Sequence, residues 1–543
     1  AMPEPAWNAS RFEGRVQPWE GLPEEEFYKL PFPQPQKKIT PKKLTEVCEQ
    51  NLPGEFYGIP FPHSPEQIKE WGPKWLTEAL IKAGNLPEDV TVTAFTHFRV
   101  LAGDTTKVTD NADDSNWGGA GIKVMLSVEY SRDVEGVTQH FFIKIPHKMG
   151  NKSERHKISI LLNNDFPEVM FNVVFVDKAP FKAPRCYFAD INRETTNYIV
   201  IQERLNFAPK KDSYEPGELL PAPGKFLDYQ LETKGADFYY ALARSFSRMV
   251  AWYQGTLREN SYIDYLFMVK DQCDHFQHER TENMTNMAPL ESRLQGIRDW
   301  IPSIGKEAFW EYCCAPNVSM PEGLMRGLLD IAREFLEATQ LFPKGVLTPA
   351  FRKQLLEEAE EWIQCSGLCN WVINKLFSEL NVLSHPNLQI DNAFYWRDAT
   401  GEMQAGILDF GSLMHMPVPS VLCGSWAGAE PEVMDEHEDK LCDYFVDQLL
   451  AAGGVCCTKE DFRMLIKLAR GGSWLGAFTN FPKLYQLIPP REFAKLNSRF
   501  DPKVEGAFLV RCYGCGVMLS TSGWKSRNPT PFLRKLRSDL GID

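Results

Sequence analysis

Two short stretches carry the side chains most able to do chemistry. They are His385-Pro386-Asn387-Leu388-Gln389-Ile390-Asp391-Asn392 and Ile407-Leu408-Asp409-Phe410-Gly411. Phe394 to Trp396 and Gly406 to Leu408 read as short strands around a turn at Asp398 to Gly401, and a hairpin of that size brings Asn392 and Asp409 together. An amide oxygen and a carboxylate are hard donors of the kind Mg²⁺ takes. Far upstream, Lys144 stands in the apolar strand Phe141-Phe142-Ile143-Lys144-Ile145-Pro146, with Glu168 on the next helical segment as the carboxylate to hold it and Glu154 as the second choice. Gly118-Gly119-Ala120-Gly121 lies between two strand patterns. Glycines there let backbone N–H groups approach phosphate oxygens closely, although the run taken alone reads more readily as a plain hairpin turn. A phosphate cradle, a cation and metal ligands are parts that phosphoryl transfer from a nucleotide requires.

The order of glycine-rich turn, F-I-K-I-P lysine, helix glutamate, strand Ile199-Val200-Ile201-Gln202-Glu203, H-P-N-x-x-x-x-N and L-D-F-G resembles the aminoglycoside phosphotransferase and choline-kinase-like family. The CHK-like branch, with its ecdysteroid-kinase-like proteins, is the nearest. The resemblance spans roughly residues 92–450 and is most specific over 385–411. It implies an α+β, two-lobed protein-kinase-like fold: a small antiparallel-sheet N-lobe over ATP and a large helical C-lobe carrying the catalytic loop and acceptor pocket. By position it implies that Lys144 pairs with Glu168 and touches phosphates, that Gly118, Gly119 and Gly121 cradle them, and that Gln202 and Glu203 open a hinge facing adenine. It further implies that Asn392 and Asp409 hold Mg²⁺ and that His385 braces the loop. ATP and Mg²⁺ are the implied cofactors, and a small hydroxylated metabolite is the implied acceptor.

One residue departs from that pattern. Asn387 stands where the family has an aspartate that orients the acceptor hydroxyl and takes its proton. An amide cannot take that proton, and such general-base help is worth about 10²–10⁴-fold. The expectation is a Mg-ATP-binding protein with weak or absent phosphoryl transfer. The alternative is a pseudokinase serving as a binding or scaffold subunit. Asp391 is expected to point away from the site if Asn392 binds metal. Pro386 replaces the family's glycine and should stiffen the loop, because its ring fixes φ.

These residues need elements to position them. Residues 1–65 are crowded with proline and aromatics and read as an extended arm that wraps the body or a partner. Residues 66–205 read as the N-lobe, with a helix over 66–84, strands over 90–101, 122–130, 139–145, 185–188 and 198–202, and a helical stretch over 153–176 that Pro167 interrupts. Residues 206–543 read as the helical C-lobe, with 3.6-residue periodicity over 238–257, 321–341, 348–380, 436–452 and 459–468.

Composition narrows the class. With 43% hydrophobic and 24% charged residues the chain suits a soluble globular protein. A net charge of −13 argues against a nucleic-acid-binding surface. No run reaches the roughly 18 apolar residues of a membrane helix. The 13 cysteines are odd in number and scattered, which favours reduced thiols in a reducing compartment, either the cytoplasm or an organelle interior after a targeting peptide is removed. Cys512/Cys515, Cys365/Cys369 and Cys456-Cys457 read as structural thiols. The acidic run Glu430, Glu432, Asp435, Glu436, Glu438 and Asp439 reads as a solvated helix start complementing the helix dipole. The other reading has it attract a cationic acceptor against Trp426. The arm, or a C-terminal segment with Trp474, Phe478, Phe481 and Tyr485, suits a protein partner.

Overall fold

A computed structural model describes residues 45–101, 121–149, 159, 164–257, 287–314, 322–411 and 413–542 of the chain. Gly118, Gly119 and Glu154, and the arm before residue 45, lie outside the described residues.

The first helix, α1 (Pro65–Lys82), starts on a Ser64 cap whose hydroxyl accepts the Gln67 N–H, with proline in its first turn. Next come strands β1 (Val92–Leu101), β2 (Gly121–Tyr130) and β3 (His140–Pro146). Helix α2 (Asp165–Met170) continues through a wide turn at Phe171–Phe175, and β4 (Cys186–Asn192) and β5 (Asn197–Glu203) complete the sheet. The five strands lie in the order β1-β2-β3-β5-β4, antiparallel throughout. The period-2 pattern sorts the faces. Val124, Leu126, Val128, Phe141, Ile143, Ile145, Ile199 and Ile201 share a core with α1, which places Lys123, Lys144 and Gln202 on the opposite face. Of the helical stretch expected over 153–176, the described residues form continuous helix only from Asp165, Asn164 standing outside it, with Pro167 close after the start. Pro167 lies in the first turn of α2, where its missing N–H has no intrahelical acceptor to satisfy.

Residues 48–61 run along the β4–β5 end of the sheet. Asp190, fully buried on β4, accepts the backbone N–H groups of Phe56 and Tyr57 at 2.9 and 3.0 Å. A Cβ on Gly54 would fall 2.0 Å from the Asp190 carboxyl carbon, so only glycine fits. Glu55 pairs with Arg193 at 2.7 Å.

The rest is mainly helical: α3 (Ala236–Trp252), α4 (Leu290–Ile304), α5 (Lys306–Cys314), α6 (Glu322–Ala338) and α7 (Pro349–Trp371). Two small ribbons follow, β6 (Asn381–Ser384) with β9 (Met414–Pro417), and β7 (Ala393–Arg397) with β8 (Met403–Ile407). The C-terminal part contains α8 (Val418–Ser425), α9 (Pro431–Ala451), α10 (Lys459–Ala477), α11 (Phe481–Leu487), the short α12 (Pro490–Phe493) and α13 (Pro502–Glu505), α14 (Phe508–Ser526) and α15 (Thr530–Leu540). The class is α+β, with a small antiparallel sheet lobe and a large helical lobe, as expected.

Two sequence expectations change here. The acidic run is solvated only in part: Glu432, Asp435, Glu436 and Asp439 are exposed as expected, whereas Glu430 and Glu438 are buried. Glu438 is buried between Arg470 and Arg527, Asp435 pairs with Arg527, and Glu430 pairs with Arg499 at 2.7 Å. These contacts bind α9 to the C-terminal helices, and Trp426 is buried in the core rather than walling a pocket. Trp474, Phe478 and Phe481 are likewise buried in the chain's own core, which removes them from any partner surface. Cys369, Cys456, Cys457, Cys512 and Cys515 are free thiols, mostly buried. Among the described residues no helix is long and apolar enough to cross a membrane.

Asp190→Ala tests how residues 48–61 are held. Two buried N–H groups lose their acceptor, so a stability loss of about 2–4 kcal/mol is expected, together with faster amide exchange confined to residues 50–61. Unchanged exchange there would show that the segment is held by its apolar contacts alone.

Candidate functional site

The two lobes meet at one ammonium. Lys144 Nζ lies 2.9 and 2.7 Å from the two Glu168 carboxylate oxygens and 2.7 Å from Asp409 Oδ1. Strand β3 supplies the lysine, α2 the glutamate, and the loop after β8 the aspartate. Lys144 and Glu168 are both buried, whereas the Asp409 side chain is 44% exposed and opens on the cleft. Burial alone would lower the Lys144 pKa, but Asp409 and Glu168 outweigh it and hold the amine well above its usual value. Burial pushes Glu168 up to about 7 against the pull of Lys144. The surrounding cleft walls would raise Asp409 too, but Lys144 overrides them and holds the carboxylate well below its usual range. Asp409 therefore holds its charge more firmly than Glu168 does.

Asp409 has a left-handed backbone, φ +55°, a conformation that aspartate tolerates better than most residues. Its neighbours fix it there. Phe410 stacks on Phe171 with ring centroids 4.0 Å apart and meets His385 edge-on at 5.7 Å. His385, fully buried, donates from Nε2 to the Leu408 carbonyl at 2.8 Å. Burial lowers its pKa, so the ring is neutral at pH 7 and acts as a strut. The Leu408 N–H donates to the Asn392 carbonyl at 2.9 Å, which sets Asn392 beside Asp409's loop. Asn392 Nδ2 donates to the Asn387 carbonyl at 2.7 Å, leaving the amide oxygen as the end able to ligate. One carboxylate and one amide oxygen fit Mg²⁺, which commonly takes one or two protein ligands and completes its shell with phosphate and water. Among the described residues no three His, Cys, Asp or Glu side chains form a metal site by themselves.

Asn387 sits on the same loop, and its Oδ1 lies 3.4 Å from Lys225 Nζ. The same ammonium lies 3.4 Å from Asp391 Oδ2. Asp391 therefore does not point away as expected; it converges with Asn387 on Lys225. Sequence reasoning missed Lys225 altogether, because it comes from a loop more than a hundred residues upstream with no local motif. Its backbone carbonyl accepts from Arg511 Nε at 2.8 Å, which ties this corner to α14.

Gly121 opens β2 where a Cβ would meet the Tyr198 hydroxyl at 2.4 Å and the Ile145 carbonyl at 2.5 Å. It is a close-packing glycine. Gln202 donates to Asn172 at 2.7 Å, and Asn172 donates to the Glu168 carbonyl at 2.9 Å, so the end of β5 is wired to α2. Glu203 accepts the Arg185 N–H at 2.6 Å, and burial raises its pKa to about 7. A cavity of about 390 Å³ adjoins it, lined by His140, Tyr187, Glu203, Arg204, Asn206 and Glu218 among others. Lys144, Glu168 and Asp409 do not line this cavity, so it is distinct from the charged cluster.

No family model matches the chain, and no curated protein matches it in sequence. Among solved structures the chain is similar to an ethanolamine kinase of Plasmodium vivax, at TM-score 0.35 and 10% identity over 85% of this chain and 94% of that one. It is also similar to a macrolide 2'-phosphotransferase type I, at TM-score 0.30 and 11% identity over 78% of this chain and 94% of that one. Both likenesses are distant.

The raised Glu168 pKa gives a pH prediction. Between the unfolded value of 4.5 and the folded value of about 7, the folded protein holds a proton that the unfolded chain has released. Stability from this group is therefore greatest at low pH and falls as pH rises through that window. Glu168→Gln removes the titration. Its melting temperature relative to wild type should climb between pH 5 and pH 7.5; a constant difference would mean that Glu168 is ionised throughout.

Proposed function

We propose that this protein is a kinase-like phosphotransferase-family member that binds Mg-ATP in the cleft around Lys144 and transfers phosphate weakly or not at all. The observation that carries this reading is the Lys144 ammonium held jointly by Glu168 and Asp409. In kinase sites the same residue types align nucleotide phosphates and their metal. Asn392 and Asp409 would hold Mg²⁺, which when bound would neutralise charge on the phosphates. Lys144 would meet a phosphate oxygen, Glu168 would keep its amine in place, and His385 would hold the loop. Gln202 and Glu203 would border the base, and Gly118, Gly119 and Gly121 would approach the phosphates. The acceptor would be a small hydroxylated metabolite.

Asn387 limits the transfer step. Its amide can accept a hydrogen bond from an acceptor hydroxyl but cannot take the proton. Lys225 beside it favours a negative charge, not a proton, at this point. The second reading is a pseudokinase that binds nucleotide, or only keeps the fold, as a subunit of an assembly. The observation in its favour is this same amide beside a lysine.

Calorimetry with ATP and MgCl₂ on wild type and on Asn387→Asp separates these readings. We expect both to bind. ATP turnover in the presence of small alcohols and amino alcohols should rise by about 10²–10⁴-fold in the aspartate variant. Absence of binding by both proteins would end the nucleotide reading and leave the scaffold reading standing.

A further inference from the structure

Two side chains of one loop meet the same ammonium. Asn387 Oδ1 and Asp391 Oδ2 each lie 3.4 Å from Lys225 Nζ, so the amide and the carboxylate stand within twice that distance of each other. The backbone brings them together. The Gln389 N–H donates to the Asn387 carbonyl and the Asn392 N–H to the Gln389 carbonyl, both at 2.9 Å. Asn392 Nδ2 donates to the same Asn387 carbonyl at 2.7 Å. These bonds fold residues 387–392 back on themselves, ending in a 3₁₀ turn at Ile390–Asn392. Lys225 is fixed from outside the loop, since its carbonyl accepts from Arg511 on α14 at 2.8 Å.

The two side chains differ in one chemical respect. A carboxylate can take a hydroxyl proton, and an amide cannot. Other carboxyl groups around this corner are committed elsewhere. Asp228 is 2% exposed and accepts the Tyr239 hydroxyl at 2.6 Å. Glu430 pairs with Arg499, and Glu505 accepts the Tyr229 hydroxyl. The Asp391 contact with Lys225 is longer than a usual hydrogen bond, and the Asp391 side chain is 16% exposed. A carboxylate accepts on two oxygens, so this contact leaves it able to receive a second donor.

We propose that Asp391 is the catalytic carboxylate that takes the acceptor's proton in place of the residue at 387. This rests on the phosphotransferase reading above. The acceptor hydroxyl gives its proton to an Asp391 carboxylate oxygen as its own oxygen bonds to the γ-phosphorus of ATP. The bond from that phosphorus to the β,γ-bridging oxygen breaks, and its electron pair leaves with ADP. Asp391 then returns the proton to water. Asn387 hydrogen-bonds the acceptor without taking the proton. A base displaced from position 387 makes transfer slow, because a misalignment of about 1 Å can cost about 10²-fold.

The test measures ATP turnover with glycerol and with ethanolamine as acceptors, together with Mg-ATP affinity by calorimetry. The proteins are wild type, Asp391→Asn, Asn387→Asp and the double variant Asn387→Asp/Asp391→Asn, each shown to be folded by its melting curve. Asp391→Asn should lose about 10²–10⁴-fold in turnover at unchanged ATP affinity. The double variant should recover that loss, because a carboxylate at 387 takes over the proton. If Asp391 only holds Lys225 and the loop, its removal depresses turnover equally in both backgrounds, and that result overturns the proposal. Turnover in Asp391→Asn equal to wild type overturns it as well, and so does a wild type that binds Mg-ATP without turnover while Asn387→Asp turns over. Should Asp391→Asn fail to fold, Asp391→Glu keeps the charge and moves the carboxylate by one methylene. A fall in kcat of about tenfold or more at unchanged ATP affinity then supports the proposal, and an unchanged kcat overturns it. Absence of Mg-ATP binding, or of turnover, in every protein would overturn the phosphotransferase reading, and this proposal with it.

Discussion

Everything in the cleft depends on holding one buried ammonium. Lys144 is desolvated on the inner face of the sheet, and its charge is tolerable there only because Glu168 and Asp409 reach it. Removing one partner of a buried ion pair costs about 3–5 kcal/mol, because the other is left uncompensated. The constraint therefore propagates outward. Glu168 must stay on α2, and the Gln202–Asn172–Glu168 chain ties α2 to β5. Asp409 must stay in its left-handed turn, which Phe410 ties to Phe171 beside α2 and which His385 braces from the helical lobe. One ammonium thus couples the positions of the two lobes.

The Asn387 corner follows a different logic. There the charges are Lys225 and Asp391, and the residue at the centre is neutral. An aspartate at 387 would put two carboxylates on Lys225; the asparagine keeps the corner to one ion pair. The corner is thus electrostatically settled without a proton acceptor at 387, whereas Lys144, Glu168 and Asp409 keep their charges on the other side.

How much of this was legible in the sequence depends on the range over which each signal acts. The strands β1–β5 and the Asn392–Asp409 hairpin follow from local alternation and turn residues, and they are found close to their expected limits. Glu168 was legible as the partner of Lys144 because one helix follows one strand. Lys123 was not. The alternation over 122–130 assigns it to the polar face, and a polar face ordinarily meets water; here the side chain is buried opposite Lys144.

The acidic run shows the same limit with larger consequences. Glutamates and aspartates at the start of α9 match a solvated helix start, because that pattern is satisfied by the helix dipole alone. That holds for Glu432, Glu436 and Asp439, which are exposed, but Glu430, Asp435 and Glu438 meet Arg470, Arg499 and Arg527 from segments 32 to 92 residues away. Arg470 and Glu438 are buried beside Trp474, with the Arg470 guanidinium 5.1 Å from its ring. Such a network is stable only as a whole, since each buried charge needs the others. It makes the C-terminal helices a structural part of the lobe that holds the cleft. Arg511 carries this to the site itself by fixing the backbone of Lys225, so the segment after residue 450, which showed no resemblance to the kinase-like pattern, helps shape the corner at which that pattern departs.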